Sequence, residues 1–193
     1  PSGLLFHRWD FLKITERHTG YTALPYGIYR GRELVAVCPL FCKRRGGLSV
    51  VLSPPPMQAV IPYLGIVMSR DYATAKQSKK ESSLQVVTEG LREVIGDLSP
   101  NYLSIKLVPD YHDIRQFIWD GYQTRISYSY MIDLAPPLET LWKNLNGKLR
   151  TNLRKFEKNG YYLEEGDDLT MFYETVRQRF SQPDMDIPMI TQR

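Results

Sequence analysis

The stretch Leu138 to Lys158 concentrates the residues best suited to anion chemistry. Lys143, Lys148, Arg150, Arg154, Lys155 and Lys158 stand in it against only Glu139 and Glu157. That surplus of four positive charges equals the formal charge of the whole chain, +4, and leaves 19 basic and 19 acidic residues elsewhere (25 − 6 and 21 − 2). Lysine supplies a point charge and arginine a planar fork suited to phosphate oxygens, so the chemistry on offer is the binding of an anion. Leu138, Leu141, Trp142, Leu145, Leu149, Leu153 and Phe156 recur at steps of three and four, the spacing that lines one helical face. The stretch is therefore expected to form one long amphipathic helix, with Lys148, Arg150, Thr151, Arg154, Lys155 and Lys158 off its apolar seam. A solvated face on an ordinary packing helix accounts for the same charge run.

Other reactive residue types are sparser. Tyr128 and Tyr130, with Tyr122 nearby, could stack on a base or sugar, but alternation places them on the apolar face, where filling a sheet–helix interface is the stronger expectation. Arg30, Arg32, Arg44 and Arg45 lie in turns, where exposed cations are ordinary. Cys38 and Cys42 are the only cysteines. In a strand their Cα atoms would be about 13 Å apart, too far for a disulfide, so they are expected to be buried thiols. Their spacing is not a redox or zinc pair, and His7, His18 and His112 are scattered, so no metal site is expected. A nucleophilic hydrolase finds no support either, for there is no G-x-S-x-G turn. No catalytic residue is singled out.

The elements that must position these groups can be read from the pattern. A chain of 193 residues with 42% hydrophobic and 24% charged residues has ample material for a folded core, and its length lies between one domain and two. Neither a membrane-length apolar run nor a signal segment appears, so a soluble, cytoplasmic protein is expected. A short helix from Phe6 to Thr19, with Trp9 and Leu12 inward, leads to strands at Tyr21 to Tyr29 and Glu33 to Cys42, joined by Arg30-Gly31-Arg32 as a hairpin. Leu48 to Leu52 is a third strand, stopped by Ser53-Pro54-Pro55-Pro56, and Ile61 to Met68 a short fourth. Leu84 to Leu98 reads as a helix through Gly90. Tyr102 to Leu107 reads as a strand, Asp110 to Asp120 as a short helix, and Ile126 to Leu134, by strict alternation, as the clearest strand of the chain. After the basic helix come a strand at Tyr161 to Glu164 and a helix opened by Asp167 and Asp168. Ser181 to Arg193 carries only loop chemistry, and the chain is expected to continue past Arg193.

The order up to Leu134 resembles the GNAT acyltransferase fold, and in particular the first of the two tandem GNAT domains of FemAB-like proteins. The residues that carry the resemblance are Trp9, the hairpin from Tyr26 to Leu40 ending in Pro39-Leu40, and the Ser53-Pro54 step. The strongest stretch is Tyr130-Met131-Ile132-Asp133-Leu134 followed by Leu141-Trp142-Lys143 and by Lys148 to Gly160, similar to the strand and basic helix that open the second domain of that family. The resemblance implies a mixed α/β (α+β) fold, with a GNAT-like, mainly antiparallel central sheet flanked by helices over residues 1–134. A partial second GNAT-like unit would follow over 135–193.

The implied activity is N-acyl transfer, in which an amine attacks an activated carbonyl held on acyl-CoA or aminoacyl-tRNA. Either donor would be a passing co-substrate rather than a tightly bound cofactor, with a small-molecule or aminoacyl-tRNA partner and no DNA. In this light Lys148, Arg150, Arg154 and Lys155 are candidate contacts to a nucleotide phosphate, coenzyme A or tRNA. Tyr63, in Tyr63-Leu64-Gly65, and Asp71 are candidate substrate contacts. The chain departs from the family in two places. The Gly-rich Q/R-x-x-G-x-G/A turn that would offer backbone N–H groups to pyrophosphate is absent. Gly65 is followed by Ile66, and the acid expected soon after is displaced to Asp71. In the family the donor site belongs to the second domain, so this chain is expected to be incomplete for catalysis by itself. The alternative is a non-catalytic GNAT-like module that binds RNA or another polyanion through the basic helix.

Overall fold

The computed structural model describes residues 4–56, 61–109, 111, 113–128, 130 and 132–180, with the backbone alone at 179–180. The fold is mixed α+β, built on a mostly antiparallel five-stranded sheet. A single 3-10 turn, Leu5–His7, precedes α1 (Trp9–Thr19), β1 (Thr22–Arg30), β2 (Glu33–Arg45) and β3 (Leu48–Ser53). Then come β4 (Val67–Met68), α2 (Arg70–Thr74), α3 (Gln77–Leu98), β5 (Tyr102–Ile105) and α4 (Arg115–Trp119). α5 (Leu138–Asn144), α6 (Gly147–Lys158) and α7 (Leu169–Phe180) complete the described elements. The described chain divides into two compact units, one running to Thr124 and the other beginning at Arg125. The expected boundary after Leu134 lies inside the second.

In the first unit β2 is the organising strand. β1 pairs antiparallel along one edge of it, Thr22 facing Cys42 and Arg30 facing Glu33. β3 and β4 divide the other edge, β3 pairing with Phe41 to Arg45 and β4 with Ala36 and Val37. The helix crossover through α3 then brings β5 alongside β3 in parallel, Val50 beside Tyr102 and Ser53 beside Ile105.

Alternation along β2 sends successive side chains to opposite faces. Cys38, Leu40 and Cys42 join Ile28, Val51, Val87 and Leu91 beneath α3. Phe41, from the other face, packs with Leu12 of α1 and with Ile61 and Leu64. Burial on both faces explains why β2 reads as a nearly continuous apolar run rather than an alternating one. Gly90 belongs to this packing. A Cβ there would sit 3.1 Å from Cγ2 of Ile28, so the small residue lets α3 lie close on β1.

Several expected elements take a different form. The basic stretch is two helices rather than one. Leu145 is extended and Asn146 caps α6, its side chain accepting from the backbone N–H of Lys148 at 2.8 Å. Apolar periodicity runs unbroken across Asn146-Gly147, whereas Asn is among the preferred N-cap residues, and the local cap prevails. Ile126 to Leu134 is not paired into the sheet at any described residue, and Tyr128 and Tyr130 are 91% and 98% exposed instead of filling an interface. Alternation shows that a segment has two faces but supplies no neighbouring strand.

Tyr161 to Glu164 is likewise unpaired and exposed. Of Ile61 to Met68 only Val67–Met68 pairs, and the short helix expected from Asp110 is confined to Arg115–Trp119. Leu12 is buried as expected, but Trp9 is 58% exposed, with the Lys13 ammonium 5.7 Å from its ring. α7 begins as expected, the Asp168 carboxylate accepting from Met171 N–H at 2.9 Å. The loop expected over Ser181 to Arg193, along with His112, Ser129 and Met131, lies outside the described residues.

Candidate functional site

Two places hold the residues singled out above, one in each unit. In the first unit the parallel strands β3 and β5 end together, at Ser53 and Ile105. The carboxyl ends of neighbouring parallel strands are where open sheets bind ligands. Here the chain itself fills that position. The Ser53 carbonyl accepts from Lys106 N–H at 2.7 Å, and the Ser53 hydroxyl donates to the Pro39 carbonyl at 2.6 Å while accepting from Gly65 N–H at 2.9 Å. Leu64 N–H donates to the Lys106 carbonyl at 3.1 Å. Leu64 and Gly65 thus form a wedge that consumes the backbone groups a ligand would otherwise meet. Gly65 is required there twice over: its φ is +53°, and a Cβ would come within 2.7 Å of the Lys106 oxygen.

His7 closes the wedge from outside. Its Nε2 lies 3.3 Å from the Gly65 carbonyl, and a carbonyl only accepts, so Nε2 carries the proton. In the neutral ring Nδ1 is then a bare acceptor, and it is buried without a partner. Burial lowers the pKa of this imidazole from its ordinary value, outweighing the Gly65 and Leu64 carbonyls that favour the charged ring. Tyr63, beside the wedge, is half-buried and stands edge-on to Phe6 with ring centroids 5.7 Å apart. Asp71 is exposed in the first turn of α2. Among the described residues no contact joins Tyr63 to Asp71.

Behind the sheet the two thiols are packed away. Cys38 is fully buried, and burial raises its thiol to about 12. Cys42 is buried as well, and both are free thiols. The Tyr111 hydroxyl is buried without a partner, and that burial pushes its pKa well up. Asp113 is held below its ordinary range by the hydrogen-bonded Arg115 guanidinium, which bonds it through both Nε and Nη2. No group of three His, Cys, Asp or Glu side chains among the described residues is placed to hold a metal ion.

In the second unit α6 gathers Lys148, Arg150, Arg154 and Lys155 on one helix. The arginines are held by α5: Arg150 donates from Nη1 to the Lys143 carbonyl at 3.3 Å, and the Arg154 guanidinium lies 5.8 Å from the Trp142 ring. Thr151 spends its hydroxyl on the Gly147 carbonyl at 3.0 Å. On the far side Leu149, Leu153 and Phe156 are exposed, Phe156 stacking on Tyr161 at 5.1 Å. None of the described residues of this unit is buried. The helix can therefore offer guanidinium forks held against α5 and exposed ammonium groups to an anion.

The periodicity of the basic stretch pointed to α6, but nothing in the spacing pointed to the wedge. His7, Ser53, Gly65 and Lys106 come from four separate segments; the Ser53-Pro54 step and Tyr63-Leu64-Gly65 stood out in the sequence, but nothing in it joined them. Comparison of the chain with protein-family models, with curated proteins and with solved structures found no match.

Proposed function

We propose that this chain is part of an N-acyltransferase that moves an acyl or aminoacyl group from acyl-CoA or aminoacyl-tRNA to an amine. One observation carries the reading. Antiparallel β1, β2 and β3 are followed by a helical crossover to parallel β5, and the basic helix α6 comes later in the chain. A hairpin and further strand, then a helix and another strand, with a basic helix later, is the part of the order behind the GNAT resemblance that supports this reading. In the reaction the amine nitrogen attacks the activated carbonyl carbon. The tetrahedral intermediate collapses to the amide with loss of the coenzyme A thiolate or the tRNA ribose oxygen, and the amine proton passes to a base or to water. The contribution of α6 is positioning: Lys148, Arg150, Arg154 and Lys155 stand on one helix to meet the anionic donor.

The wedge bears on where the donor goes. With Leu64 and Gly65 lodged at the ends of β3 and β5, the first unit offers no open crevice there, which agrees with a donor site outside it. The test is thermal unfolding of the protein with acetyl-CoA, longer acyl-CoAs and aminoacyl-tRNA in turn. A donor present at about 100 times its Kd stabilises by about 2.7 kcal/mol, or roughly 5–10 °C for a chain of this size. A shift with one donor and amide formation on adding an amine support the reading. Flat curves with every donor overturn it in favour of the non-catalytic, polyanion-binding alternative or of neither.

A further inference from the structure

Asn146 and Asn159, at the two ends of α6, are each followed by glycine, whereas the remaining asparagines precede Tyr102, Leu145 and Leu153. In an Asn-Gly pair no side chain shields the glycine nitrogen, which can close a ring on the asparagine side-chain carbonyl. Both pairs are exposed, so exposure does not tell them apart. Their hydrogen bonds do. The Gly160 N–H donates to the Glu157 carbonyl at 3.0 Å and the Tyr161 N–H to the Phe156 carbonyl at 3.2 Å, and the Phe156 and Tyr161 rings stack across the turn. The Gly147 N–H has no acceptor among the described residues, as expected at the first position of a helix, and the Lys143 carbonyl accepts from Arg150 instead. We propose that Asn146-Gly147 is a self-modifying site at which Asn146 deamidates to aspartate and isoaspartate.

The reaction needs only water. The Gly147 nitrogen gives its proton to solvent and attacks Asn146 Cγ, the Cγ–Nδ2 bond breaks, and Nδ2 takes a proton from solvent and leaves as ammonia, closing a succinimide. Water then opens the ring. Addition at Cγ restores the ordinary main chain with an aspartate, and addition at the backbone carbonyl carbon routes the chain through the side chain as isoaspartate. In the intact cap Asn146 Oδ1 accepts from the Lys148 N–H at 2.8 Å at the start of α6, which favours the negative charge that gathers on Oδ1 as the nitrogen adds. The nitrogen reaches Cγ by rotation about the Asn146 ψ, 140° in the intact chain. Leu145 and Asn146 lie outside both helices, so that rotation breaks one helical bond, from the Arg150 N–H to the Asn146 carbonyl. At Asn159 the same rotation breaks the Gly160 and Tyr161 bonds together. The products act differently on α6: aspartate caps as well as asparagine and suits the helix N-terminus, whereas isoaspartate adds a carbon to the main chain and loses the cap.

The experiment is a time course of the chain in mildly alkaline buffer, native and in concentrated urea, with tryptic peptide mapping and isoaspartyl methyltransferase labelling. Trypsin separates the two pairs into residues 144–148 and 159–177. In urea the two should convert at similar rates, because the hydrogen bonds that distinguish them are gone. In the native chain Asn146 should convert at least about fivefold faster than Asn159, the factor set by the one additional hydrogen bond to be broken there. Gly147→Ala, which places a methyl group beside the attacking nitrogen, should slow the reaction. Asn146→Ser keeps a cap and should abolish it. Circular dichroism separates the products: Asn146→Asp should keep the helicity of the fresh wild type, and the aged wild type should lose helicity in step with its isoaspartate. Three results would overturn the proposal. They are an Asn146 that stays intact in the native chain while converting in urea, native conversion of Asn159 as fast as that of Asn146, and an aspartate product with no isoaspartate, which would mean direct hydrolysis without the ring. The outcome is independent of which anion α6 meets, so it leaves the acyltransferase reading to its own test.

Discussion

Gly65→Ala tests whether the wedge between β3 and β5 is built as described. A non-glycine residue in the left-handed region costs roughly 1–2 kcal/mol. The new Cβ would in addition stand 2.7 Å from the Lys106 oxygen and 3.0 Å from the Leu107 Cα, and both are backbone atoms that cannot swing aside. Relief requires the wedge to back out, stretching the Leu64 N–H bond to Lys106 and the Gly65 N–H bond to the Ser53 hydroxyl. Each is worth about 1 kcal/mol net, and more if its buried donor is left unmet. The sum is about 3–6 kcal/mol, a large part of the ~5–15 kcal/mol that holds a typical protein folded.

Gly46 provides the internal control. Its φ is +57°, and a Cβ added there would meet nothing within 4 Å, so Gly46→Ala carries the backbone strain alone. Urea unfolding followed by tryptophan fluorescence should place Gly46→Ala about 1–2 kcal/mol below the wild type and Gly65→Ala at least about 2 kcal/mol lower still. Equal losses in the two variants would mean that Lys106 does not crowd Gly65, and the wedge as described would be wrong.

Three further outcomes are expected. His7 has a folded-state pKa below its unfolded value of about 6.5, so the unfolded chain takes up the proton first. Stability should therefore fall as pH drops through the unfolded pKa, and go on falling until the folded-state pKa is passed. His7→Gln should remove that part of the pH slope in urea midpoints between about pH 7.5 and 5, and an unchanged slope would show that His7 is not the group responsible. Cys38, with its thiol raised to about 12, should resist iodoacetamide in the native protein at about pH 8 and react once urea unfolds it. Mass spectrometry of the labelled peptide decides, and rapid native labelling would contradict the packing. Asn146→Ala removes the cap of α6 and should cost that helix about 1 kcal/mol, read as lost helicity by circular dichroism; no loss would mean that the cap bond to Lys148 is not formed.

The first unit was legible where the pattern is local. The hairpin of β1 and β2, the strand β3 and the helix α3 with Leu84, Val87 and Leu91 inward all follow from period and turn chemistry. The reading failed where an element needed a distant neighbour. Ile126 to Leu134 alternates more strictly than any strand in the sheet, yet no described residue of it is paired, because a ladder requires a second strand that alternation does not specify. Trp9 looked like a core residue by type and spacing, three residues before buried Leu12, but it is the first residue of α1 and stays 58% exposed at that end. The break between α5 and α6 falls at Asn146-Gly147, where a local cap interrupts an apolar repeat that runs through it.

The sequence by itself determined that the net charge sits in one amphipathic stretch, that both cysteines are core residues and that a hairpin-rich sheet is backed by a long helix. Those properties depend on residues within a few positions of one another, where helix and strand periods and turn propensities act. Only the tertiary structure decided that Leu64 and Gly65 occupy the ends of β3 and β5 and that His7 donates to the Gly65 carbonyl. It alone divided the cations of α6 into arginines held against α5 and exposed lysines. Each of these depends on groups brought together from separate segments or on the angle at which two helices meet, and no local period encodes either.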